Sequence, residues 1–197
     1  MRFSREELES FRDATVPDLV GPGLRLLFVG INPGLWTAAT GTHFAHPGNR
    51  FYPALLRAGI LDRVIDRGAG MSDDDRCAVV ERGIGITNLV ARATPRAAEL
   101  TADELRAGGT RLRAVVAAER PIVVAVAGVT AYRQAFGDRH ARLGRQDSTI
   151  GVAGEHEAEL WIVPNPSGLN AHETIDSLAA AYRAPAVVAG IVEAVHP

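Results

Sequence analysis

LRLLFVGINPGLWTAATGTHFAHPGNRF, residues 24–51, is the stretch whose reading decides the fold. Leu26-Leu27-Phe28-Val29 is a short apolar run closed by Gly30, the pattern of a buried strand. It runs directly into Ile31-Asn32-Pro33-Gly34, a turn. Pro33 fixes its own φ, removes an N–H and biases Asn32 towards an extended backbone. Gly34 permits backbone angles that other residues resist. Asn32 is therefore expected at the carboxyl end of a strand, where open α/β sheets keep their ligands.

Working outward, Gly21-Pro22-Gly23 breaks the chain before this strand. Residues 4–14 read as a helix opened by a capping box, Ser4 with Glu7 three residues on. Residues 49–58 read as a helix with Phe51, Leu55 and Leu56 inward and Gly59 as its stop. Ser72 followed by Asp73, Asp74 and Asp75 starts another helix, with its carboxylates on the positive end of the dipole and Gly83 at its close. Residues 84–89 (IGITNL) give a second strand. Thr101 and Glu104 form a further capping box for a helix reaching Glu119, with Gly108-Gly109 as a weak spot inside it. Residues 121–128 (PIVVAVAG) make the clearest buried strand, and a short helix over 129–136 follows. Residues 137–158 read as loop, or as a hairpin around 148–152.

The last strand, residues 160–163, runs into PNPSGLN at 164–170. The final helix is expected near Asn170, with Ile175, Leu178, Ala179 and Tyr182 on one face. An apolar tail over 186–192 calls for a covering surface, in this domain or on another chain. Strands alternating with helices predict one α/β domain over residues 1–197, with its core at about 22–183: three layers, a central mostly parallel sheet with helices on both faces.

At 197 residues and 47% hydrophobic content, the chain can bury a full core. No stretch approaches the ~18 uninterrupted apolar residues of a membrane span, and the first residues carry no signal-peptide pattern, so a cytoplasmic protein is expected. The lone Cys77, expected to be a buried small residue, excludes an internal disulfide framework or a multi-cysteine cluster within one chain. The six histidines form no helical HxxxH pair, so no metal and no cofactor are expected. A net charge of −2 argues against a general nucleic-acid binder, but its distribution argues the other way. No Asp or Glu lies between Asp18 and Asp62, where Arg25, Arg50, Arg57, His43 and His46 stand, nor between Glu159 and Glu173. Such windows suit a phosphate-facing surface, and the clearing of acids from buried segments explains them equally well.

The segments Gly30-Ile31-Asn32-Pro33-Gly34 with residues 43–51 (HFAHPGNRF), then Ile86-Thr87-Asn88-Leu89-Val90, then Asn165-Pro166-Ser167-Gly168-Leu169, resemble the mismatch-specific uracil/thymine-DNA glycosylases of the uracil-DNA glycosylase superfamily. The resemblance runs over residues 22–183, with two independent motifs in order after the first and last strands. It implies a uracil-DNA glycosylase-like fold and a monofunctional DNA glycosylase. Such an enzyme hydrolyses the N-glycosidic bond of uracil, or of thymine and other damaged bases, in mismatched or single-stranded DNA. Its partner is DNA containing uracil or a mismatched or damaged pyrimidine, met by a monomer after the nucleotide is flipped from the stack.

By the same resemblance, the Asn32 side chain positions the attacking water. Phe44 is the aromatic on which the flipped base stacks, with His43 and the Ile31 backbone near its polar edge. Asn88 reads the base from the second strand end, and the Thr37 methyl faces the pyrimidine C5 position, where it would crowd thymine. Leu169 is the wedge that fills the vacated space in the duplex, on a loop shaped by Pro166 and Gly168. Asn165 and Ser167 supply hydrogen bonds to the DNA backbone or the estranged base.

The chemistry fits these residues. Many sugar hydrolases meet an oxocarbenium-like transition state with two carboxylates, and the Asn32 segment holds none. An amide is a poor general base, so turnover should be slow and electrostatic stabilisation should carry most of the rate. Two positions depart from the family pattern. Ala171 stands where an Arg commonly follows the wedge, which removes the basis for reading an opposite guanine, and Ala91 stands where an Asp is common.

Blander readings stand beside these. Asn32 before a proline is a common turn residue, and Leu169 can serve as a hydrophobic staple before the last helix. His46 and Asn49 suit loop bracing, and Arg92 and Arg96 suit either solvent or phosphate. Two rival functions remain: a nucleotide-binding module with residues 30–34 on a phosphate, and a glycosylase fold that binds lesions without cutting. The first lacks both a Walker sequence and a GxGxxG fingerprint. The chain contains no lysine, which excludes a Lys-based Schiff-base lyase step.

Overall fold

The computed structural model describes residues 3–194. In chain order the elements are α1 (Arg5–Glu9), β1 (Leu26–Gly30), α2 (Leu35–Thr40), α3 (Phe51–Arg57), α4 (Asp73–Glu81) and β2 (Ile84–Asn88). There follow a 3-10 turn (Ala97–Glu99), α5 (Ala102–Glu119), β3 (Val123–Ala127), α6 (Val129–Phe136), β4 (Gly144–Val152), β5 (His156–Val163) and α7 (Ile175–Val188).

The strands form one sheet in the order β2-β1-β3-β5-β4, parallel except for the edge strand β4, which pairs antiparallel with β5. Side-chain alternation along the strands splits the interior into two cores. Leu26, Phe28, Ile84, Ile86, Val123 and Ala125 face α3, α4 and α7, meeting Phe51, Leu55, Val79, Leu178 and Tyr182. Leu27, Val29, Val124, Val126 and Ile162 face the other way, onto Leu105, Leu112 and Val116 of α5 and Ala131 and Tyr132 of α6. The expected three-layer α/β architecture is what the chain adopts. No described helix is long and apolar enough to cross a membrane.

From β1 the chain steps to β2 on one side and then returns across β1 to β3 on the other. Loops leaving β1 and β3 therefore diverge, opening a crevice at their carboxyl ends.

Several sequence expectations need correction. The N-terminal helix stops at Glu9 rather than Ala14, because Asp13 takes a left-handed φ of 65° and its N–H donates to Ala93 O at 2.9 Å. The last helix starts at Ile175, capped by Thr174, not at Asn170, whose Nδ2 donates to Asn165 O at 3.2 Å and belongs to the preceding loop. The hairpin is longer than expected and takes in all of β4 and β5. Cys77 is exposed, not buried. Gly108 and Gly109 are no weak spot: a Cβ on Gly108 would lie 2.5 Å from Leu89 O, and one on Gly109 would lie 2.7 Å from Ala135 O. The two glycines let α5 close onto the end of β2 and onto α6. The apolar tail packs in part on its own chain, with Ala186 and Ala189 buried beside Leu178 and Tyr182, Ile191 and Val192 half-buried against the same core, and Val188 left exposed.

Candidate active site

The crevice at the ends of β1 and β3 is a cleft of about 160 Å³ lined by Gly30, Ile31, Asn32, Gly34, Phe44, Asn49, Ala97, Ala127, Asn165 and Ser167. Both sequence motifs contribute to it. None of these side chains is charged, so the cleft is neutral, amide-rich and floored by small residues.

Asn32 is half-buried at the strand end. Its Nδ2 donates inward, to Pro33 O at 3.1 Å, Arg92 O at 3.0 Å and Thr94 Oγ1 at 2.7 Å. Two of those acceptors are carbonyl oxygens, which cannot donate, so the amide orientation is settled by its partners. Oδ1 has no partner among the described residues and is the acceptor that Asn32 has free. Thr94 is fixed in turn by donating its hydroxyl to Arg96 O at 2.9 Å.

Phe44 holds a left-handed backbone, φ 56°, an uncommon conformation for a bulky residue and one that clusters at functional sites. Its ring stacks on Phe51 with centroids 4.1 Å apart and an interplanar angle of 26°, and the side chain reaches the cleft. Gly30 is required beside it: a Cβ there would lie 2.4 Å from Asn88 Oδ1 and 3.2 Å from Phe44 Cζ.

Asn88 and His43 are joined but lie behind this wall, 6% and 3% exposed, rather than among the lining residues. Asn88 Nδ2 is 3.1 Å from His43 Nδ1, and His43 Nε2 is 3.0 Å from Pro17 O. Burial lowers the His43 pKa, against the pull of Pro17 O and Asp18. The backbone of Asn88 is tied down by Arg111, whose Nη2 donates to Asn88 O at 2.8 Å while Nη1 meets Asp18 Oδ2 at 3.1 Å. Thr37 is buried within α2 and does not line the cleft. Ile31 lines the cleft, but its carbonyl is already taken by the Val90 N–H at 2.9 Å.

The second motif forms a tight loop. Asn165 Oδ1 accepts from the Ser167 N–H at 2.9 Å, and Ser167 Oγ accepts from the Leu169 N–H at 3.3 Å. Gly168 meets the first motif, since a Cβ on it would lie 2.6 Å from Gly48 O. Leu169 is 91% exposed, more than any other large apolar residue described.

Arg50, which stands in a window that suits a phosphate-facing surface, turns both Nη atoms onto this loop, bonding Ser167 O at 2.7 Å, Asn170 O at 2.6 Å and Glu173 O, while its buried Nε has no partner among the described residues. Arg92 pairs with Asp13 at 2.7 Å and Glu104 at 2.8 Å rather than standing free. Ala171 and His172 are exposed beside the loop. Sequence reading missed Thr94, Ala97 and the clamp made by Arg50. Thr94 sits in a loop and Ala97 opens the 3-10 turn that follows, a stretch whose only signal is Pro95, and the Arg50 contacts span more than a hundred residues. Among the described residues, no group of three or more His, Cys, Asp or Glu gathers to hold a metal.

Residues 17–185 match the family model described as the uracil DNA glycosylase superfamily. The fold is similar to the solution NMR structure of a candidate uracil DNA glycosylase from Methanosarcina acetivorans, with a TM-score of 0.52 at 12% identity, covering 90% of this chain and 96% of that one. At that identity the likeness is one of fold.

Proposed function

Since the chain belongs to the uracil DNA glycosylase superfamily, we propose that it is a monofunctional DNA glycosylase that removes uracil from mismatched or single-stranded DNA. The observation that carries this reading is the Asn32 amide. Its nitrogen is held inward by three acceptors, and its oxygen is free in a neutral cleft that Phe44 and the second motif share.

In this reading the uracil nucleotide leaves the stack and its base stacks in the cleft against Phe44, a contact worth about 1–3 kcal/mol. Asn32 Oδ1 accepts a hydrogen bond from a water and aims its lone pair at C1′. The C1′–N1 bond breaks, its electron pair leaves with the base, and the water oxygen bonds to C1′ and gives up a proton to solvent. The departing uracil anion takes up a proton from solvent, which leaves free uracil and an abasic site. Because Oδ1 orients the water without taking a full proton, the departing base must be stabilised by dipoles and by the DNA itself, and turnover is slow. Leu169, exposed on its tight loop, fills the gap in the duplex. The exposed Ala171 offers no side-chain donor to an opposite guanine, so in this reading a preference for U·G over U·A comes from the weaker pairing of the mismatch, not from contact with the guanine. The burial of Ala186 and Ala189 of the apolar tail against their own chain is in keeping with a monomer.

Single-turnover cleavage of labelled U·G, U·A, T·G and single-stranded uracil substrates, with alkali to reveal abasic sites, tests the reading. Excision of uracil that is lost in Asn32→Ala while DNA binding persists is the expected result. Activity surviving in Asn32→Ala would overturn the mechanism, and no excision from any substrate would overturn the activity.

A further inference from the structure

An apolar side chain works as a wedge only if the backbone beneath it does not yield. The loop over residues 165–173 has no strand or helix to stiffen it. Its carbonyls instead converge on one residue of the first motif. The Arg50 N–H donates to Pro166 O at 3.0 Å, Nη2 donates to Ser167 O at 2.7 Å and Asn170 O at 2.6 Å, and Nη1 donates to Glu173 O. Loop carbonyls ordinarily face water. Here no Asp or Glu lies between Glu159 and Glu173 to capture the guanidinium, so backbone oxygens receive it. With those oxygens drawn inward, the Leu169 side chain is left pointing out. Gly168 also lies against Gly48, two residues before Arg50, with no room for a Cβ.

We propose that Arg50 is a positioning residue that fixes the height and angle of Leu169 over the cleft, so that the first motif controls base extrusion as well as cleavage. The inference rests on the glycosylase reading above. The planar fork of the arginine lets Nη2 hold Ser167 O and Asn170 O while Nη1 holds Glu173 O; a lysine brings the same charge to a single point. Charge alone is therefore not what the site uses.

The test is a double-mutant cycle of Arg50→Lys and Leu169→Ala, read by single-turnover excision from a U·G duplex and by the fluorescence of a 2-aminopurine placed next to the uracil. Each single variant is expected to slow duplex excision by about tenfold or more and to diminish the fluorescence rise that accompanies extrusion. The double variant should be no slower than the slower single variant, since both changes remove one function. Gly168→Ala, whose Cβ would push the loop off Gly48, should show the same lack of additivity with Leu169→Ala. Multiplying effects, or an Arg50→Lys defect equal on duplex and single-stranded uracil with an unchanged fluorescence rise, would show Arg50 to be merely structural and overturn the inference alone. A wild-type protein that extrudes and releases no base would overturn the glycosylase reading, and this inference with it.

Discussion

Asn88 Nδ2 and His43 Nδ1 lie 3.1 Å apart, and the contact ties the His43 tautomer to the orientation of the Asn88 amide. Pro17 O, 3.0 Å from His43 Nε2, can only accept, so the ring proton sits on Nε2 and Nδ1 receives the Asn88 N–H. Asn88 Oδ1 is thereby turned towards Gly30. A protonated His43 would set two N–H groups against each other. Burial lowers the His43 pKa, reinforced by Arg76 and opposed by the Pro17 bond and Asp18. The unfolded chain then binds this proton more readily than the folded one. The stability it contributes is full above the unfolded value of about 6.5 and is lost as pH falls towards the depressed folded value. Melting temperature should therefore fall more steeply from about pH 7.5 to about pH 5.5 in the wild type than in His43→Gln. His46, also lowered by burial, is common to both proteins and cancels. Equal slopes would mean that His43 carries no such penalty.

Thr94 braces Asn32 from outside the cleft lining. Its oxygen accepts from Asn32 Nδ2 at 2.7 Å and donates to Arg96 O at 2.9 Å. Thr94→Val keeps the shape and removes that acceptor, which loosens the Asn32 amide. Excision at saturating protein should slow by about tenfold or more, while DNA affinity is unchanged and Thr94→Ser restores most of the rate. A Thr94→Ser variant as slow as Thr94→Val would place the effect in packing.

Asn165 offers a cleaner electrostatic test. Its Oδ1 holds the Ser167 N–H, and its Nδ2 has no partner among the described residues. Asn165→Asp keeps the acceptor that shapes the loop and introduces a carboxylate into a cleft that has none. Melting temperature should barely move. DNA affinity should fall most at low salt, where the screening length is about 30 Å, and recover part of the deficit towards physiological salt. An affinity loss independent of salt would argue that the loop itself had changed.

The strands and the turn at Asn32 were legible because β1 is buried on both faces and ends in Pro and Gly, features carried by adjacent residues. Capping boxes placed α1 and α5 at their starts, and the Ser72 N-cap placed α4, for the same local reason. What escaped was set by distant partners. The early end of α1 follows from a bond between Asp13 and Ala93, and the late start of α7 from the hold of Asn170 on Asn165. Within the candidate site, Asn32, Phe44 and Asn165 stand in the cleft. His43 and Asn88 stand behind it, and Thr37 is buried in α2. Resemblance could bring these residues to one region, but it could not assign the depth of each. That depth depends on Gly30 having no Cβ and on Phe44 crossing to a positive φ.

Gly108 sets two rules against each other. It lies inside α5, where Ala is better than Gly by about 0.8–1.0 kcal/mol, so propensity predicts that Gly108→Ala stabilises. Packing predicts the reverse, because the new Cβ would stand 2.5 Å from Leu89 O and 2.8 Å from Leu89 C, both backbone atoms. Side chains can rotate away from such an intrusion, whereas a strand end cannot, and overpacking of this kind costs about 1–3 kcal/mol. The clash wins, with a net loss of up to about 2 kcal/mol, or a melting temperature lower by about 2–4 °C for each kcal/mol lost. The displaced segment adjoins Asn88, whose carbonyl is held by Arg111 of the same helix, so uracil excision should fall alongside stability. A Gly108→Ala protein that melts higher than wild type would show that α5 can move off β2 freely, and would remove the packing account of this glycine pair.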